Sequence, residues 1–205
     1  MRLLLIAAII FIISCTSKNK KESNASVNKG HYPNASSSNY ADSINSGIIP
    51  KDTLKGSPIR TTMAMVGNNN VHIVYGSPGV KGRIIWGGLV AYDEVWVTGA
   101  HKATSIDFSK DVIIGEKKVA AGKYAFFTIP NQEKWTLILN KNWDQHLADK
   151  YSEKEDVLRV DVAPIVQENI IQRLTYTVKS NSDDGGMITM QWEKIEVSLP
   201  FTNAY

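Results

Sequence analysis

Residues 59–75 read Ile59-Arg60-Thr61-Thr62-Met63-Ala64-Met65-Val66, then Gly67-Asn68-Asn69-Asn70, then Val71-His72-Ile73-Val74-Tyr75. Apolar and β-branched residues fill both flanks, and the middle has the Gly/Asn chemistry that reverses a chain, so the stretch predicts a β-hairpin. The same grammar continues outward. Thr104 to Phe108 alternates, with Ile106 and Phe108 on one side; Val112 to Ile114, Lys123 to Ile129, Trp135 to Leu139 and Val157 to Val162 follow. The last third offers Leu174 to Val178, Ile188 to Trp192 after Asp183-Asp184-Gly185-Gly186, and Ile195 to Phe201. Only Trp143 to Lys150 reads as a short helix. Eight to ten such strands separated by turn signals predict two packed antiparallel sheets, a β-sandwich or jelly-roll-like domain over residues 57–205, with no second domain.

Composition bounds what this domain does. The chain has 205 residues, 43% hydrophobic and 21% charged, with a net charge of +3 and one cysteine. A lone cysteine excludes a disulfide framework and multi-cysteine zinc sites. Residues 1–56 hold seven basic residues against Glu22, Asp42 and Asp52, which leaves 16 basic and 17 acidic residues in the rest. The near-neutral remainder lacks the phosphate-neutralising surface of a nucleic-acid binder, so no nucleic-acid partner is expected.

Residues 1–14 read as a secretory signal: Arg2, then an unbroken apolar run from Leu3 to Ile13 that is too short for a comfortable membrane span. Ile12-Ile13-Ser14-Cys15 resembles a bacterial lipobox, which implies cleavage before Cys15 and lipidation of that residue. Buried acyl chains contribute about 0.8 kcal/mol per methylene, so such an anchor holds a protein on a membrane durably. From Thr16 to Gly56, large apolar side chains are sparse among Ser, Asn and Lys, and the stretch is expected to be a disordered tether spanning about 35 Å. Thr16 stands where an Asp would resemble an inner-membrane retention signal, and Thr16-Ser17-Lys18-Asn19 lacks the acidic cluster that resembles a surface-export signal, so the expected location is the periplasmic face of the outer membrane.

Between Tyr75 and Thr104 the composition departs from that of sandwich strands. Gly76-Ser77-Pro78-Gly79-Val80-Lys81-Gly82-Arg83 leads into Gly87-Gly88-Leu89-Val90 and then Val95-Trp96-Val97-Thr98-Gly99-Ala100-His101. These residues, with Ala103-Thr104, Ala121-Gly122-Lys123-Tyr124, Phe127-Thr128-Ile129-Pro130, Trp135, Asn140-Lys141 and Asp156-Val157-Leu158-Arg159-Val160, resemble the bacterial family known as domain of unknown function 2911. The resemblance spans nearly all of residues 57–205 and implies an envelope lipoprotein of the Bacteroidetes type, without implying an activity. Ser77, Val97 and His101 depart from its usual Arg, Arg and Asn, which removes two guanidinium donors suited to carboxylate or phosphate.

The candidate ligand-binding residues are therefore Lys81, Arg83, Trp96, Thr98 and His101. Lys81 and Arg83 lie among glycines that admit close backbone approach to an anion, although GxxxxGK[ST] is absent. A turn with solvated basic residues explains the same letters. Trp96 suits a sugar ring or a core, and His101 lies in the Thr98-Gly99-Ala100-His101 turn just after it. His72, His101 and His146 lack HExxH spacing, and no GxSxG elbow is present, so no catalytic residue, metal site or cofactor is assigned. The leading expectation is a ligand-binding or structural module for a small molecule or glycan. The alternatives are a glycan hydrolase or lyase using His101 with Lys81 or Arg83, and an assembly partner of an envelope protein complex.

Overall fold

The computed structural model describes residues 35–205, with side chains from Asn39 onward. Among these, the chain forms a helix, α1 (Ala35–Asn45), and ten strands: β1 (Ile59–Val66), β2 (Asn69–Gly76), β3 (Thr104–Phe108), β4 (Val112–Ile114), β5 (Lys117–Val119), β6 (Gly122–Ile129), β7 (Trp135–Asn140), β8 (Asp156–Val162), β9 (Ile165–Ser180) and β10 (Gly185–Asn203). They make a six-stranded sheet ordered β1-β2-β3-β6-β7-β8 and a four-stranded sheet ordered β5-β4-β10-β9. Every strand pair is antiparallel. The all-β, two-sheet expectation is met.

The β1–β2 hairpin forms as read, but its turn is only Gly67-Asn68, because Asn69 and Asn70 join the ladder opposite Val66 and Met65. Gly67 has φ +57°, and a Cβ there would stand 2.5 Å from the Asp183 carbonyl oxygen. The turn therefore requires glycine both for its backbone angle and for space.

Alternation along each strand drives one face inward. Ile73 and Tyr75 on β2, Ile106 and Phe108 on β3, Phe126 on β6, and Leu137 and Leu139 on β7 face Leu174 and Tyr176 on β9 and Ile188, Met190, Leu199 and Phe201 on β10 in one buried cluster. Tyr75 meets Tyr176 across the sheets at 4.8 Å between ring centres, and Phe108 meets Phe201 at 5.6 Å. A second, smaller cluster of Val97, Ala103, Ala125, Phe127 and Ile138 buries part of the other face of the six-stranded sheet.

Three expectations are corrected. Trp143–Lys150 is not helical: Leu147 has φ +52°, and the segment gives its hydrogen bonds to the 101–103 loop, Ala103 N–H to Gln145 O at 2.9 Å and Leu147 N–H to His101 O at 2.6 Å. The two C-terminal strands are one, β10, whose register shifts around Glu193. The stretch to residue 56, expected to be a disordered tether, is ordered and packed in its described part. Ala41 and Ile44 are buried, Asn45 bonds both backbone groups of Arg173 at 2.9 and 2.8 Å, and Asp52 forms an ion pair with the fully buried Arg173 at 2.9 Å. Composition undercounted this segment because polar side chains, rather than large apolar ones, hold it. The earlier part of the expected signal and tether lies outside the described residues.

Candidate functional site

The long connection from β2 to β3 carries every candidate of the domain. It starts with a tight crossing: a Cβ on Gly76 would stand 2.3 Å from the Ala100 carbonyl oxygen, so the two ends of the connection lie backbone against backbone. Thr98 is fully buried with φ +49°, a costly conformation for a β-branched residue. Its surroundings hold it there. The Thr98 hydroxyl has the Trp96 carbonyl (3.2 Å) and the Thr128 hydroxyl (3.1 Å) as acceptors within reach of its one proton, while its carbonyl accepts from Thr104 (2.9 Å) and Tyr176 (2.7 Å). Burial pushes the Tyr176 hydroxyl well above its ordinary pKa, so this donor stays protonated. Thr98 is thus a buried support for the connection and offers no exposed ligand contact.

Trp96 enters the seam between the sheets. It stacks on Trp192 at 5.8 Å and meets Trp86 edge-on at 5.8 Å, with Trp135 completing a four-indole cluster. The Trp192 side chain is buried, and its Nε1 has no acceptor. An unpaired buried donor carries a desolvation penalty of about 1–3 kcal/mol.

Arg83 folds back on its own turn, donating through Nε to Val80 O at 3.3 Å and through Nη2 to Gly79 O. These acceptors are uncharged, so the guanidinium charge stays unneutralised. Lys81, at φ +50°, donates its ammonium to Leu54 O. His101, at φ +66°, is exposed.

A cleft of about 330 Å³ brings Arg83, Trp96 and His101 together with Pro78, Leu89, Val90, Leu147 and Trp192. Lys81 does not join them. It lines a larger, separate cavity of about 850 Å³ between residues 44–52, Gly82 and residues 168–172 of β9. The smaller cleft is the candidate site, because three of the expected side chains converge on it. Leu147 and Trp192 were missed in the sequence: Trp192 reads as core by alternation, and Leu147 belongs to the segment misread as helix. Ser77 is buried and donates to Leu174 O at 2.7 Å, whereas Val97, though largely buried, lines the smaller cleft. Cys15 lies outside the described residues.

No group of three or more His, Cys, Asp or Glu residues suited to a metal ion occurs among the described residues, and no helix there is long and apolar enough to cross a membrane.

Fold and cleft define a class: a two-sheet antiparallel β protein whose β2–β3 connection folds into an aromatic-floored cleft. Residues 57–201 match the model of the family described as protein of unknown function (DUF2911), and the chain belongs to that family. No curated protein and no solved structure matches it. Residues 35–56 precede the matched region, although they pack on it.

Proposed function

We propose that the protein is a membrane-anchored binding module of the bacterial envelope, held through lipidated Cys15 on the periplasmic face of the outer membrane, with its ligand in the Arg83–Trp96–His101 cleft. The observation that carries this reading is the convergence of those three side chains on one cleft floored by Trp192. An apolar wall with a few polar groups at the rim is the usual build of a small-ligand site. The ligand class it fits best is a saccharide. A sugar ring has an apolar face for indole and leucine surfaces, and its hydroxyl oxygens accept from Arg83, His101 or an indole N–H.

Calorimetric titration and thermal-shift measurements against envelope sugars test the cleft. Binding that falls in Arg83→Ala and His101→Ala is expected; sugar binding indifferent to both variants, or none, overturns the reading. Cys15→Ser is expected to move the protein from the membrane fraction to the soluble fraction, and a variant that stays with membranes removes the anchor.

The catalytic alternative pairs His101 with Lys81 or Arg83; Lys81 lines a different cavity, so only Arg83 stands with His101. The assembly alternative is favoured by one feature, the exposure of Leu89 (51%) in the cleft and of Ile84 (78%) in the same connection. Capture of a discrete envelope protein that is lost in Ile84→Asp would support it.

A further inference from the structure

We propose that Met63, Met65 and His72 form a surface binding site for a soft monovalent metal ion, Cu(I), on the outer face of the six-stranded sheet. The β1–β2 register places them together: Met63 pairs directly with His72, and Met65 with Asn70. Residues paired across a ladder, or two apart along a strand, share one face. Direct neighbours have Cβ atoms about 4.5–5.5 Å apart and diagonal neighbours stand about 7–8 Å apart. The flexible thioether side chains span that interval. Two sulfurs and one imidazole nitrogen can thus meet at a single ion.

Burial supports the same placement. Arg60 and Val66 point inward at 5% and 0% exposure, whereas Met63 and Met65 point outward at 66% and 58%. Methionine ordinarily goes to the core, as Met190 does at 1%. Packing therefore gives no reason for two thioethers side by side on an open face with an imidazole opposite. Their chemistry does. Thioethers are soft ligands that select Cu(I), imidazole binds copper readily, and no carboxylate in the trio favours magnesium or calcium.

The next rung extends the arrangement. Asp107 on β3 pairs with His72 on the side away from Met63. A metal-bound imidazole commonly gives its other N–H to a carboxylate, which fixes the ring. Lys123 follows Asp107 in the ladder, but its ammonium lies over the Trp143 ring at 4.0 Å, and Asp107 is in no ion pair among the described residues. The carboxylate is thus left for the imidazole.

The test uses the full chain carrying Cys15→Ser, so that no thiol competes. Anaerobic titration against a chromophoric Cu(I) chelator is expected to give one Cu(I) per chain, with sulfur and nitrogen neighbours in X-ray absorption. Ag(I), a redox-inert stand-in, is expected to shift the methyl resonances of Met63 and Met65. Asp107→Asn should weaken binding about tenfold or more. The double variant Met63→Leu/Met65→Leu, nearly volume-conserving on an exposed face, should lose more while keeping the thermal transition. Failure to compete with the chelator, a spectrum without sulfur, or undiminished binding in the double variant overturns the proposal. Should the double variant unfold, unmoved methyl resonances in the chain that retains both methionines overturn it equally.

Discussion

Arg173 is the residue on which the N-terminal packing turns. It is fully buried on β9, and its guanidinium serves the Asp52 carboxylate together with the carbonyls of Leu54, Gly56 and Ser77. Removing one partner of such a pair strands a buried charge, at a cost of about 3–5 kcal/mol. Arg173→Met is expected to destabilise by that amount in denaturant titration, and Asp52→Leu/Arg173→Met by clearly less. Equal losses would assign the stabilisation to the carbonyl contacts instead of the ion pair. The Ala121 backbone N–H and then Lys118 hold the Asp111 carboxyl below its ordinary pKa, and Lys134 and then Thr136 do the same for Asp161. A carboxyl depressed in the folded state stabilises above its unfolded value, near 4, and that stabilisation is lost as pH falls through the folded value. The melting temperature should therefore drop below about pH 4, and Asp111→Asn should make that drop shallower.

At the scale of elements, alternation was readable wherever a strand keeps one phase. It misled at β10. Ile188, Met190 and Trp192 are buried on even positions, whereas Val197, Leu199 and Phe201 are buried on odd ones. A reader of periodicity breaks the strand there. The backbone instead turns through φ +54° at Glu193, where the register to β9 shifts with the surplus residues on the β9 side, and the strand changes phase while the ladder continues. Glu193→Gly should consequently be neutral or stabilise by up to about 1 kcal/mol, and a β-branched residue there should destabilise, as thermal melts would reveal. Helix α1 was hidden for a different reason. Its docking depends on Ala41, Ile44 and the Asn45 side chain meeting a partner 128 residues away, a match that composition cannot register. Deleting residues 35–56 removes Asp52 from Arg173, and a loss of about 3–5 kcal/mol relative to a chain starting at residue 35 is expected. Unchanged melting of the two forms would refute the packing.

For the molecule as a whole, the segment bearing the candidate site was legible as an anomaly in composition, and its internal arrangement was not. Arg83, Trp96 and His101 share a cleft because the Gly76–Ala100 crossing folds the connection back, while a change of direction at Gly82 leaves Lys81 in another cavity. The crossing is not local in sequence. The tryptophans divide accordingly. Trp86, Trp96, Trp135 and Trp192 form one cluster between the sheets, and Trp143 is 42% exposed beneath Lys123. Collisional quenching of fluorescence should act chiefly on Trp143, so Trp143→Phe should leave an emission that is bluer and less quenchable. Emission that remains equally quenchable would place the indole cluster in water.

The stapled segment ahead of β1 also makes the fold a mechanical fuse. Tension entering from the N-terminal side reaches α1 first, and the Asp42–Arg60 and Asn45–Arg173 contacts bear it before the sheet does. If they part, and the contacts of Asp52, Leu54 and Gly56 with the Arg173 guanidinium after them, residues 35–58 pay out roughly 80 Å of chain at about 3.3–3.6 Å per residue. The sheets stay intact meanwhile, and relaxation lets the same contacts reseat. Pulled on a single-molecule trap, the chain should yield in a small reversible step of that length before the large one that unfolds the sandwich.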